Sequence, residues 1–185
     1  MKNRLPSKLV LPHAEYVLSK LKPHCSRIEI LGSLRRGKEF VGDVELLAVP
    51  KGTQQLSFFD NIPVPITTGK DLIEAINQFR VVKGGLEDSG RMAQFYGPKR
   101  IPYDLFVADH ENFGYQKVIR TGPHEHNVGF IIPKLKQLGY ELRDAHIWKG
   151  DSLIPVPEEE HLYALIETPV IAPNERQFYT KTTTL

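Results

Sequence analysis

The sequence predicts an α+β fold, a sheet carrying helices on one side followed by a smaller α/β second domain. Three observations point there. Through about residue 110 the elements run α, β, β, α, β, β, β, a pattern that suits such a sheet or a related α+β layer arrangement. VELLAV (44–49) is almost continuously apolar, as expected of a strand buried on both faces. Beyond residue 110 the texture changes to helix, hairpin and helix, which divides the chain into 1–112 and 113–185 with the break in 110–117.

The first predicted helix opens at Pro12 and presents Ala14, Val17, Leu18 and Leu21; Pro23 ends it. RIEIL (27–31) and VELLAV are the first two strands. Residues 50–68, rich in Pro, Gly, Gln and Thr, read as a surface connection. In TTGKDLIEAINQF, Thr68 can cap, Asp71 suits the first turn, and Leu72, Ile73, Ile76 and Phe79 form one stripe. VVKGG, MAQFYG and IPYDLFVA are three further strands. A helix over 124–138 presents Val128, Ile131, Leu135 and Leu138, with Pro133 kinking or dividing it. AHIWKGDSLIPV reads as a hairpin turning at Lys149-Gly150-Asp151, and EEEHLYALIE as a last short helix.

Composition narrows the class of protein. At 185 residues, 41% apolar and 25% charged, the chain is ordinary globular protein. It has no apolar run long enough to span a membrane, and its basic N-terminus lacks the apolar core of a signal peptide. Cys25 is the only cysteine, which excludes an internal disulfide and a cysteine-rich zinc site and suits a reducing, intracellular setting. That setting is the cytoplasm, or the host cytoplasm or nucleoid if the chain is viral. Net charge is +2, but residues 1–40 hold nine Lys and Arg against three Glu, and residues 141–167 hold seven acids against two bases. A basic front half suits polyanions such as nucleic acid or nucleoside triphosphates.

Asp43 and Glu45 lie two apart on a predicted strand, so both side chains share one face while Val44 turns inward. Like charges on one face repel unless a cation neutralises them, and Mg²⁺ prefers such oxygens. Asp104, set among Ile101, Tyr103, Leu105 and Phe106, can complete a cradle for two metal ions from a neighbouring strand. A lone D-x-E equally describes an exposed strand face, so the neighbouring residues decide its meaning. Gly32 permits a tight turn with N–H groups exposed to a phosphate, Ser33 adds a hydroxyl, and Arg36 adds permanently charged donors. No G-K-[ST] or G-x-G-x-x-G is present, which excludes a Walker A loop and a dinucleotide fingerprint.

GSLRRGKEFVGDVELL (32–47) resembles the nucleotidyltransferase signature, and in detail that of the DNA polymerase X family. The resemblance implies a mixed-sheet palm followed by a small α/β thumb. It assigns Gly32, Ser33 and Arg36 to the triphosphate, and Asp43, Glu45 and Asp104 to catalysis and to two Mg²⁺ ions. RTGPHEHNVGF is similar to the family's palm–thumb segment, which adds Thr121, Gly122 and Asn127 to the nucleotide site. APNERQ (172–177) resembles its Pro-x-x-Arg segment. Arg35, Arg120, His124 and Arg176 are further candidates for nucleotide or nucleic-acid contact.

The departures carry expectations of their own. Glu45 stands where most members have Asp, which should alter metal geometry and favour Mn²⁺ as an alternative. Ile119 and Arg120 stand where the family places two aromatics beneath the sugar, so sugar discrimination is open. Ile131 takes the place of a template-contacting arginine. The chain starts some thirty residues before Gly32, so the resemblance implies a minimal palm-plus-thumb member without lyase or fingers domains. Short basic patches such as Lys20, Lys22, Arg27, Lys99 and Arg100 would then hold DNA.

His124 and His126 lack the further ligands of a zinc site, Cys25 reads as a buried filler, and Tyr103, Tyr140 and Trp148 as packing. The expected activity is addition of a nucleotide to a primer 3′-hydroxyl of nicked or gapped DNA by a monomer, with release of pyrophosphate, as in repair. The alternatives are transfer to RNA, a small molecule or a protein hydroxyl, and a non-catalytic nucleic-acid binding module.

Overall fold

A computed structural model of the chain describes residues 4–52, 69–83, 86 and 91–179. It divides into two compact units with the break between Asp109 and His110, against a predicted break after 112. The expected cap Thr68 and most of the 50–68 connection lie outside the described residues. No helix among the described residues is long and apolar enough to cross a membrane.

The first unit opens with strand β1 (Leu5–Pro6) and helix α1 (Ser7–Leu21). Strand β2 (Cys25–Ile30), the short helical turn α2 (Gly32–Arg35), β3 (Phe40–Val41) and β4 (Val44–Pro50) follow. Helix α3 (Lys70–Asn77), β5 (Arg80–Lys83), β6 (Met92–Tyr96) and β7 (Pro102–Val107) complete it. The sheet order is β2-β4-β7-β6-β5, with β4 and β7 parallel and every other pair antiparallel, which makes it mixed.

Strand alternation separates two faces. Val44, Leu46 and Ala48 of β4 and Tyr103, Leu105 and Val107 of β7 join the core with Val10, Ala14, Val17 and Leu21 of α1 and Leu72 and Ile76 of α3. Each such Leu, Ile or Val contributes about 1.5–3 kcal/mol by leaving water. Glu45, Leu47, Asp104 and Phe106 occupy the intervening positions and turn to the opposite face. Helix α1 begins at Ser7, five residues before the predicted start, and runs through Pro12. Burial of Val10 and Ala14 holds that first part helical, and Pro12 is exposed, where water can take the carbonyl bond that proline cannot.

The second unit contains a helix the sequence did not suggest, α4 (Phe113–Thr121), with Phe113, Tyr115 and Val118 buried. The predicted helix over 124–138 is three pieces: α5 (His124–His126), a π-turn (Asn127–Ile131) and α6 (Ile132–Gln137). The π-turn lies just before Pro133, which can donate no hydrogen bond to the preceding turn. It also shifts the buried face. Val128, expected inside, is 48% exposed, and Phe130 is buried with Ile131 and Leu135. Strands β8 (Glu141–Arg143), β9 (His146–Lys149) and β10 (Ser152–Ile154) form an antiparallel meander, followed by helix α7 (Glu159–Leu165). The β9–β10 turn falls at Gly150-Asp151 as predicted. The β8–β9 turn uses Asp144 and Ala145, both at positive φ, a pair with no turn signal as strong as Asn-Gly.

Candidate active site

Strand β2 delivers Leu31 into a reversal at Gly32, whose φ is +64°. A Cβ at Gly32 would lie 1.5 Å from Glu45 Oε2, so the glycine is required twice: by its left-handed backbone and by the carboxylate packed over it. The Leu31 N–H donates to the Glu45 carbonyl at 2.8 Å, which locks this turn to β4. Arg36 and Lys38 donate backbone N–H groups to the Gly32 and Ser33 carbonyls at 3.1 and 3.0 Å and close the loop. In so short a helical turn the leading N–H groups have no intrahelical acceptor. Ser33, Arg35 and Arg36 are all half-buried around it.

The carboxylates come from two neighbouring strands. Glu45 of β4 lies directly opposite Asp104 of β7 in parallel register. Asp43 sits one residue ahead of β4 rather than within it. On the other side of Asp104 stands Gln94 of β6, whose Nε2 donates to Asp104 Oδ1 at 2.8 Å. Sequence reasoning missed Gln94. Its signal was present in MAQFY, where Ala93 and Phe95 turn into the core and leave Gln94 on the carboxylate face. A neutral amide can fix one carboxylate oxygen without neutralising the charge.

Three carboxylates on one short stretch of sheet are the donor chemistry that Mg²⁺ or Mn²⁺ takes. The backbone gathers them, with Glu45 and Asp104 side by side and Asp43 two residues before Glu45. The side chains do not converge: Glu45 is turned against Gly32, Asp104 is held by Gln94, and no group of three His, Cys, Asp or Glu among the described residues is arranged to hold a metal ion. The residues therefore fit the ion by chemistry and backbone placement.

Tyr103 faces away from Asp104 and stacks on Phe95 at 5.2 Å. Burial pushes the Cys25 thiol up to about 12, with Lys51 opposing weakly, so it is protonated and a poor nucleophile at neutral pH.

The remaining candidates belong to the second unit. Thr121 ends α4, Gly122 follows at φ +65°, and the Gly122–Pro123 peptide is cis. Asn127 is buried, and its Nδ2 donates to the Ile119 carbonyl at 2.7 Å. Arg120 Nε donates to Gln116 Oε1 at 3.3 Å, and Gln116 in turn donates to the Ala145 carbonyl at 3.3 Å. His124 is exposed, whereas Ile131 is fully buried and offers nothing to a ligand. Arg176 must be corrected. It is fully buried, its guanidinium pairs with the Glu159 carboxylate, and its Nε donates to the Ile171 carbonyl, so it cannot reach nucleotide or nucleic acid.

His126, set aside in the sequence, is a buried node. Its Nδ1 donates to the Tyr179 carbonyl at 2.5 Å, and its Nε2 accepts from the Tyr163 hydroxyl at 3.4 Å. Burial lowers its pKa, and the nearby Arg176 charge lowers it further against the opposing bond to Tyr179.

No protein-family model matches the chain, and no curated sequence matches it significantly. Its similarity to solved structures is extensive. Polymerase beta of Leishmania infantum in a ternary P/T complex superposes with a TM-score of 0.72 at 17% identity, over 94% of this chain and 77% of that one. The same polymerase in a ternary gap complex gives 0.73 at 17% identity, over 94% and 71%. Over nearly its whole length, this chain has the fold of polymerase beta.

Proposed function

We propose that the chain is a nucleotidyltransferase that adds a nucleotide from a (deoxy)nucleoside triphosphate to the 3′-hydroxyl of a DNA strand at a nick or short gap, with release of pyrophosphate. One observation carries the reading most. Glu45 and Asp104 stand directly opposite each other on parallel strands, with the Gly32 turn folded onto Glu45, so carboxylates and phosphate-binding turn form one constellation. The X-family signature in the sequence supports it, as does the fold shared with a polymerase whose solved complexes include P/T and gap forms.

Ser33 and Arg36 hold triphosphate oxygens, and Arg36 contributes charge-assisted bonds suited to phosphate. Arg35 stands beside them as a second cation. Asp104, fixed by Gln94, orients the attacking hydroxyl and favours departure of its proton. Mg²⁺ ions (two, with Mn²⁺ as alternative) held by Asp43, Glu45 and Asp104 would neutralise the triphosphate and lower the pKa of that hydroxyl. By the X-family resemblance, Thr121, Gly122 and Asn127 would contact the sugar and base of the nucleotide, with Arg120 and His124 as further polar contacts. Ile119 and Arg120 at the X-family aromatic positions favour acceptance of ribonucleotides beside deoxyribonucleotides. Gap filling in DNA repair is the role that follows.

Labelled dNTPs or rNTPs with a one-nucleotide-gapped duplex and Mg²⁺ or Mn²⁺ test this directly. Extension by the wild type and none by Asp43→Ala, with an unchanged circular dichroism spectrum, is the expected result. No extension with either metal overturns the proposal.

A further inference from the structure

The turn from β6 to β7 is a tight hairpin turn in which two side-chain-bearing residues take the left-handed conformation that such turns usually give to glycine or asparagine. Lys99 and Arg100 are consecutive, neither is glycine, and both have positive φ, 56° and 58°. L-residues adopt this region at an energetic cost, and such outliers persist where the surroundings over-determine them. Here the surroundings are firm. Gly97 donates to the Ile101 carbonyl at 3.0 Å, while Arg100 and Ile101 donate to the Gly97 and Pro98 carbonyls, each at 3.2 Å. Gly97 lies against the Tyr103 ring, where a Cβ would come within 2.4 Å, and Ile101 and Tyr103 are themselves buried.

The turn presents two exposed cations. Neither Lys99 nor Arg100 pairs with a carboxylate among the described residues; the Arg100 guanidinium lies 6.0 Å over the Tyr96 ring. The turn also stands at a telling place. It leads into β7, whose third residue is Asp104, and β4 enters the sheet alongside with Asp43 and Glu45 at the same end. From Arg100 to Asp104 the chain spans at most about 13 Å, a few nucleotides' length of strand.

We propose that Lys99 and Arg100 form a phosphate-binding turn for the DNA strand that carries the acceptor 3′-hydroxyl. The inference rests on the nucleotidyltransferase reading and adds to it a surface and a strand. The acceptor strand must run up to Asp104, and its backbone needs cations beside the carboxylates that would otherwise repel it. Arginine and lysine held outward in a rigid turn lose less freedom on contact than on a mobile loop.

The double variant Lys99→Gly/Arg100→Gly removes both charges and relieves both left-handed residues, so it folds at least as well as the wild type. Fluorescence anisotropy with a gapped duplex at 50–200 mM salt, nucleoside triphosphate titration and thermal unfolding are measured on the full chain. The expected result has three parts. The dependence of log Kd on log salt becomes shallower by about 1.8, or 0.9 per phosphate contact, which removes about tenfold of the salt effect across that range. Triphosphate affinity is unchanged, and the thermal midpoint rises. The charge-keeping Lys99→Arg/Arg100→Lys variant retains the wild-type slope. An unchanged slope in the glycine variant, alongside normal primer extension by the wild type, overturns the inference and leaves the reading standing. Loss of triphosphate affinity instead also overturns it, by assigning the turn to the nucleotide. A wild type that binds no DNA overturns both.

Discussion

Gln94 and Asp104 face each other across strands β6 and β7, and the glutamine amide donates to Asp104 Oδ1 at 2.8 Å. This bond fixes the carboxylate that the proposed chemistry needs at the attacking hydroxyl. Gln94→Met keeps the volume and removes the donor. A hydrogen bond to a charged group is worth about 1.5–3 kcal/mol, so kcat should fall about tenfold or more. KM for the triphosphate should stay within about twofold, because Ser33 and Arg36 are untouched. Steady-state kinetics of gap extension separates the two, and a selective rise in KM would contradict the role.

Gly32 and Gly37 form a matched pair of tests. Both have positive φ, +64° and +67°, but a Cβ at Gly37 meets nothing within 4 Å, whereas one at Gly32 meets Glu45. Alanine at either should destabilise the chain by about 1–2 kcal/mol through backbone strain. Only Gly32→Ala must also displace the Glu45 carboxylate. Nucleotide addition should therefore be lost in Gly32→Ala and retained in Gly37→Ala, measured at a temperature where both remain folded.

The Arg176–Glu159 pair is buried in the second unit, with Arg176 also over the Tyr163 ring. Arg176→Met removes the guanidinium from beside the buried Glu159 carboxylate. Urea unfolding should show a loss of about 3–5 kcal/mol. Adding Glu159→Leu should recover part of it, since a buried charge that has lost its cation is worse than an apolar contact.

His126 should make the second unit acid-sensitive. Its pKa in the fold lies below the ordinary 6.5, chiefly through burial, so the folded state favours the neutral ring. The unfolded chain then binds more protons, and stability is fully present above pH 6.5 and declines as pH falls through the folded pKa. Unfolding midpoints from pH 8 to pH 5 should drop for the wild type. The drop should be smaller in His126→Gln, which cannot titrate.

How much of this was legible in the sequence differs between the two units. VELLAV, MAQFY and IPYDLFVA carry their own alternation, and the face opposite Val44 and Leu46 had to hold Asp104 and Glu45 once the core chose its side. The start of α1 was not legible, because Pro12 is a stop signal only where the helix lacks a buried face to hold it. Val128 was misassigned because a π-turn changes the phase of a helix, and nothing in NVGFI announces one.

Local chemistry was enough to establish which residues could act: a glycine turn, its serine and arginines, and acids at a spacing of two. Those are properties of neighbours in the chain, read through strand and turn geometry. Which acid meets which donor was a matter of strand order. Gln94 lies ten residues from Asp104 and becomes its partner because β6 and β7 pair in one register. Glu45 lies thirteen residues from Gly32 and covers it because β2 and β4 pair in another. The same long-range packing buried Arg176 against Glu159 and withdrew it from any ligand. Pairing of distant segments sets such contacts, and no single stretch of sequence contains them.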